Sequence, residues 1–502
     1  MSKKFADALT SESNWGKTWN GQDAYLSTLS DTLDFYASFG TYRGTSAAVK
    51  TSDFDAAYKE EALLAMKTLF YGRDVRGGLG ERKTFRDILH HAGDYQTASV
   101  IKNISLIPYF GRFDDLYALV GTKAEDAMWK FMSAQFEADL LAMQENKPAS
   151  LLAKWIKTPD SANQKTAELG KLTAKKLGYT RNRMPYFKKD LKALRRYIGV
   201  VEPYVYGGNF DLIDYSKMPG MAMLRYKKLF QNKDAEHFSA YIDSLSKGET
   251  KMNTSVMTPY DVAKGYIEAR PWNRKNPEID EAIEEAWKNL PNYIDAEKMH
   301  NTLIVCDTSG SMWGRKNSNC AIPMTVALSL TLYAAERNTG EFHNKFVTFS
   351  NSPKFQSLKG ETLIQRLSTL NTEGWAYNTN IEAVMQLLLN TAKKHHIAPE
   401  EMPSSILIIS DMEFDDCATG TTFTSHFKKK FASEGYTLPN VIFWNVNTVK
   451  SVFHADKNEA GVQLVSGYSP AVFTSVIQAM NMTPMEAMIS TLSNPRYDCI
   501  QV

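Results

Sequence analysis

Two uninterrupted apolar runs, LIVC at 303–306 and ILII at 406–409, constrain this chain more than any other feature, because each delivers an aspartate, one directly and one after a serine. A strand wetted on one face alternates apolar with polar residues. A run without alternation is buried on both faces, as in a parallel sheet covered by helices. The surrounding sequence keeps that grammar: NTLIVCD, KFVTFS, SSILIISD and NVIFWNVN read as strands, and CAIPMTVALSLTLYAAERN, IEAVMQLLLNTAKKH and FTSHFKKKFASEG as the helices between them. The expectation is a doubly wound, mostly parallel α/β domain over 298–480. SPAVFTSVIQAMNMTPMEAMISTL supplies one or two closing helices, and 481–502 reads as a C-terminal helix and tail.

From Phe5 to about Asn289 the period changes. EEALLAMKTLFYGRD, EDAMWKFMSAQFEADLLAMQ and DEAIEEAWKNL place apolar residues at i, i+3, i+4, the stripe of an amphipathic helix. Loops such as DVRGGLG, IPYFGRFDD and NKPAS separate them, as in stacked helical hairpins, although no crisp repeat period emerges. LPNYIDAEKMH breaks the pattern, so 1–297 is expected to be an all-helical, solenoid-like domain. A chain of 502 residues is too long for one core, which fits this division.

The chemistry concentrates at the strand ends. Asp307 and Asp411 follow buried strands, so both carboxylates are expected on the sheet's carboxyl edge, where ligands of such sheets bind. Ser309 and Ser311 extend the first motif as D-x-S-x-S. Thr379, in YNTN before a helix, adds a fifth oxygen-bearing side chain. An all-oxygen set of small ligands suits Mg²⁺ or Mn²⁺, and its neutral hydroxyls leave charge on the metal to attract an outside anion. The competing readings are plain helix and turn capping, and a phosphatase of the haloacid dehalogenase type. That enzyme type needs D-x-D, and Ser309 stands where its second carboxylate would act as acid and base.

This D-x-S-x-S, with a Thr and a second Asp on later loops, resembles the metal-ion-dependent adhesion site of von Willebrand factor type A domains. The resemblance implies that Asp307, Ser309, Ser311, Thr379 and Asp411 hold Mg²⁺, and that a carboxylate from a protein partner completes the shell. Many members have an Asp after the Thr; here Asn380 occupies that place.

Residues 171–196, KLTAKKLGYTRNRMPYFKKDLKALRR, set ten Lys and Arg against the single Asp190, with Tyr179, Tyr186 and Phe187 interleaved. Such a stretch can neutralise phosphates and stack on unpaired bases, or it can be the solvated face of a helix whose Leu172, Leu177, Leu191 and Leu194 turn to the core. DVRGGLGERKTFRDIL, LIPYFGRFDDLYAL, LLAKWIKTPDSANQKT and IDYSKMPGMAMLRYKKLF resemble segments of TROVE-module proteins, the Ro autoantigen family, closest to its uncharacterised plant and phage branch. This implies a HEAT-like helical-repeat ring that binds small structured or misfolded RNA. Individual contact residues do not carry over; from charge alone the RNA candidates are Lys154, Lys157, Lys175, Lys176, Arg181, Arg183, Lys188 and Lys189.

GGLGERKT at 77–84 lacks the Gly before Lys that a phosphate-binding P-loop needs, so it reads as a Gly loop opening a helix. His90–His91 and His395–His396 have no partner ligands at usable spacing. Cys306, Cys320, Cys417 and Cys499 lie far apart and read as reduced, buried thiols. The N-terminus lacks the apolar stretch of a secretory signal, and no segment approaches the roughly 20 apolar residues of a membrane span. The combined expectation is a cytoplasmic (or virion), monomeric, non-enzymatic RNA scaffold with a Mg²⁺-dependent protein-docking domain. The alternatives are an assembly component without an RNA role, or, further off, a hydrolase.

Overall fold

Six strands form one sheet in the order β5-β4-β3-β6-β7-β8, where β3 is Thr302–Asp307, β4 Lys345–Phe349, β5 Lys354–Ser357, β6 Ser405–Ser410, β7 Asn440–Asn445 and β8 Val462–Ser466. All neighbours run parallel except the edge pair β4 and β5. The computed structural model describes residues 13–269, 277–314, 320–349, 352–372, 375, 380–416, 422–450, 452–479 and 481–502. Every residue of β3 and β6 is buried, which is why their sequences do not alternate. The chain leaves β3 toward β4 and β5, then returns to the other side of β3 as β6. The topological switch therefore lies between β3 and β6.

Helices cover both faces. The helix Pro323–Arg337 is buried from Pro323 through Ala335 and packs on β3, β4 and β6 with one side. Its other side meets the helix Pro259–Ala269. On the opposite face of the fold's core, Ile381, Val384 and Met385 of Ile381–His395 and Phe423, Phe427 and Phe431 of Phe423–Ser433 join the strand side chains in one apolar cluster.

The packing divides the chain elsewhere than at 297/298. One unit gathers the described residues up to Gly72, those of 76–84 and those from Thr254 to Asp498. The other comprises 73–75, 85–253 and 499–502. The physical reason is the helix Pro323–Arg337, which is apolar all round and needs a second layer. Residues 259–269 and 277–294 supply it: Trp287 Nε1 donates to Glu336 Oε2 at 2.7 Å and Tyr333 OH to the Pro291 carbonyl at 2.6 Å.

The amino-terminal part of the first unit also departs from the helical expectation. Trp15–Lys17 (β1) and Asp23–Tyr25 (β2) pair antiparallel, and the helix Asp31–Ser38 is buried from Thr32 onward, against β8. Gly40 sits so close to the end of β8 that a Cβ there would lie 2.3 Å from Gly467 N. Strands β5 and β8 were also not legible beforehand.

Apart from an isolated bridge between Pro219 and Asn253, the second unit is helical among its described residues. Its longest helix, Glu125–Gln144, buries Met128, Met132 and Phe136, and Phe136 packs on Phe187 with ring centroids 6.2 Å apart. An ionic cluster lies inside it: Asp115, fully buried, accepts from Arg73 Nε at 2.7 Å, Arg86 Nε at 2.6 Å and the Arg112 amide at 2.9 Å.

Candidate metal centre

The two central strands bring the acids together at the switch point. Asp307 ends β3 and Ser410 ends β6, neighbours in a register where Cys306 faces Ile409. The Ser410 hydroxyl donates to Asp307 Oδ2 at 2.5 Å, and the Ser309 amide donates to Asp307 Oδ1 at 2.9 Å. Ser309 Oγ lies 3.1 Å from Ser311 Oγ, and the Ser311 hydroxyl bonds to Asp411. Asp307, Ser309, Ser311 and Asp411 thus form one linked group. Asp307 and Ser309 are buried, whereas Ser311 and Gly310 face solvent, so the group opens outward.

Burial holds both carboxyls above the ordinary carboxylate range, and repulsion from Asp411 raises Asp307 further. Among the described residues, neither is ion-paired with a Lys, Arg or His. A buried acid pair without a counter-cation is costly, a cost that protonation or a bound divalent cation removes.

Thr379 lies outside the described residues. Asn380 Oδ1 accepts from the Ala383 amide at 2.9 Å as a helix N-cap, so that oxygen is already engaged. Among the described residues no three His, Cys, Asp or Glu side chains converge on a metal position. The donors here are two carboxylates with two hydroxyls, the small oxygen ligands that suit Mg²⁺.

Sequence reading missed the residues that shape the loop after Asp411. Met412 has φ +67°, a left-handed conformation that costs a residue other than glycine roughly 1–3 kcal/mol. It is held by its amide bonding to Ser410 Oγ at 3.0 Å and by its carbonyl, 3.1 Å from His454 Nε2. Glu413 accepts from the Trp19 amide at 2.6 Å, and the Phe414 carbonyl from Thr18 Oγ1 at 2.7 Å. Ser410 was the one findable by inspection, as the polar residue that ends an otherwise apolar strand. His454 and Thr18 carry no local signal.

The basic candidates lie in the second unit and are only partly available. Lys157 is 3.8 Å from Asp114, Lys176 3.3 Å from Asp126, and Lys188 2.7 Å from Asp160. Lys154 lies over Trp155 and Arg183 over Tyr179, 5.7 and 5.6 Å from the ring centroids. Lys175, Arg181 and Lys189 are exposed. Phe187 is fully buried and cannot stack on a base; Tyr186 is exposed, and Tyr179 OH donates to Asp190 at 2.7 Å. Leu177, Leu191 and Leu194 are buried, so one helix face does turn to the core.

The helix after GGLG begins at Arg82. His91 stacks on Tyr95, and His396 is the left-handed C-cap of its helix. Cys306 and Cys320 are buried, Cys499 is exposed, and Cys417 lies outside the described residues. Among the described residues no helix is long and apolar enough to cross a membrane.

Residues 301–494 match a family described as a domain of unknown function (DUF7788), and residues 126–297 match another domain of unknown function (DUF2828). The chain is also similar to an uncharacterized protein of Acanthamoeba polyphaga mimivirus, at 26% identity over 519 residues, covering 95% of this chain and 87% of that protein.

Proposed function

We propose that this chain is a non-catalytic scaffold of the Ro type, in which a von Willebrand A-like domain binds Mg²⁺ and uses it to capture a carboxylate of a protein partner, while the helical unit binds RNA. The observation that carries the reading is the buried Asp307–Asp411 pair at the switch between β3 and β6, linked by serine hydroxyls and, among the described residues, without an ion-paired cation. Asp307, Ser309, Ser311 and Asp411, with Thr379, are the residues proposed to hold the ion. When bound, the ion supplies a Lewis-acidic position open to an outside anion. Ser309, where an aspartyl phosphatase would need its second carboxylate, supports docking over hydrolysis. The antiparallel edge strand β5 on an otherwise parallel sheet is compatible with the same domain type.

The full chain tests both halves. Mg²⁺ is expected to raise its melting temperature saturably, and Asp307→Ala to abolish that rise. A structured small RNA is expected to bind with an affinity that falls steeply between low and moderate salt.

A second reading, a metal-dependent assembly component without an RNA role, is favoured by the acids that pair Lys157, Lys176 and Lys188. Retained Mg²⁺ binding with absent or salt-insensitive RNA binding would select it.

A further inference from the structure

We infer that the cavity between the helix Met184–Tyr197 and the loop 158–160 of the helical unit is a binding site for a phosphate group. The cavity measures about 220 Å³ and opens between Thr158 and Asp160 on one wall and Lys188, Lys192 and Arg195 on the other, with Pro203 at its rim. Positions 188, 192 and 195 are spaced i, i+4, i+7, so one helix face delivers all three cations.

Arg195 is the central group. Its Nε donates to the Ala153 carbonyl at 2.9 Å, one terminal nitrogen to the Ile156 carbonyl at 2.8 Å and the other to Thr158 Oγ1 at 3.3 Å. A guanidinium carries five N–H groups, so two are left over among the described residues. Among the described residues no carboxylate forms an ion pair with it, and burial holds its proton affinity below that of a free guanidinium, offset in part by the charge of Glu202. Lys188 is paired with Asp160, whereas Lys192 has no acidic partner among the described residues. The lining therefore carries three cations against one anion. A group with several oxygens and at least one negative charge meets both the spare N–H donors and the excess charge.

The opposite wall is built to stay in place. Gly170 of the helix Gln164–Lys176 lies against the loop so closely that a Cβ would stand 2.6 Å from Pro159 N. That contact and the Arg195 bonds to Ala153 and Ile156 fix Thr158 before any ligand arrives.

This goes beyond the RNA reading, because a free phosphate would satisfy the site as well as a nucleic acid's would. The test is calorimetric titration of the full chain with inorganic pyrophosphate in chloride buffer, with Lys192→Glu as the main variant, since that side chain is exposed and makes no ion pair among the described residues. Saturable binding weakened tenfold or more by Lys192→Glu, and unchanged by Lys247→Glu at the C-terminal cap of another helix, is the expected result. Arg195→Lys, which keeps the charge but not the fork, is expected to weaken it too. No saturable binding, or equal loss in Lys192→Glu and Lys247→Glu, overturns the inference. Matched 5′-phosphoryl and 5′-hydroxyl RNA oligonucleotides then distinguish the source. Competition with pyrophosphate by the phosphorylated strand alone identifies a terminal phosphate, competition by both an internal phosphodiester, and competition by neither a small free phosphate compound. RNA that binds with a steep salt slope yet shows no Lys192 dependence would leave the RNA reading standing and this cavity excluded from it.

Discussion

The Ser410 hydroxyl donates to Asp307 Oδ2 at 2.5 Å, joining the carboxyl ends of the two central strands at the point where the sheet reverses its winding. That bond orients Asp307, and Ser410 Oγ also receives the Met412 amide, so one hydroxyl sets the geometry of both acidic loops.

Asp307→Asn is expected to leave the metal-free chain as stable as the parent or more so, because it removes a buried charge facing Asp411. It is also expected to lose the response to Mg²⁺. For the parent, Mg²⁺ at about a hundred times its Kd adds about 2.7 kcal/mol to the native state. Thermal unfolding of both proteins with and without Mg²⁺ decides it; equal metal-induced shifts would count against the site.

His454 is expected to make a contribution to the stability of the sheet unit that acid removes. Its Nε2 donates to the Met412 carbonyl, its Nδ1 is buried without a partner, and burial lowers its pKa from 6.5 to about 4. Between those values the unfolded chain binds a proton that the native ring does not. The contribution of His454 is therefore full above about pH 6.5 and is lost as pH drops toward 4, by about 3 kcal/mol in all, while the raised carboxyls of Asp307 and Asp411 act in the opposite sense. Urea unfolding of the parent and His454→Gln across that range measures it; identical slopes in both would refute the assignment.

Asp115→Ala is expected to destabilise the helical unit by about 3–5 kcal/mol, since it strands the buried Arg73 and leaves Arg86 with Asp114 alone. Hydrogen exchange resolved along the chain should place the loss within 85–253. A change below about 1 kcal/mol would mean that the cluster relaxes to other partners.

Gly170→Ala is expected to cost about 1–3 kcal/mol, because the added methyl meets the Thr158–Pro159 backbone, which cannot move aside like a side chain. The same variant should weaken pyrophosphate binding by shifting one wall of the cavity. Denaturant midpoints and the titration above read the two effects separately.

The strands β3, β4, β6 and β7 and the helices between them were legible because continuous burial removes alternation, a property each run carries by itself. Asp307 and Asp411 were legible for the same reason, as the first charges after such runs. Strands β5 and β8 were not. At four residues β5 is too short for its period to show, and β8 takes part of its burial from the helix Asp31–Ser38, far away in the chain. The availability of the basic stretch was not legible: charge density is a count, whereas availability depends on acids such as Asp126 and Asp160 that only folding brings near.

By itself, then, the sequence determined the parallel sheet, the helical character upstream and the two acids on the sheet edge, since periodicity and the polarity of strand ends are local properties. Tertiary structure alone decided that the described residues up to Gly72 and from Thr254 to Asp498 gather with the sheet, that Ser410 and His454 shape the acidic loops, and that Arg195 lines a cavity beside Thr158. Each depends on contacts between residues distant in the chain, and such contacts are settled by which surfaces must be buried together.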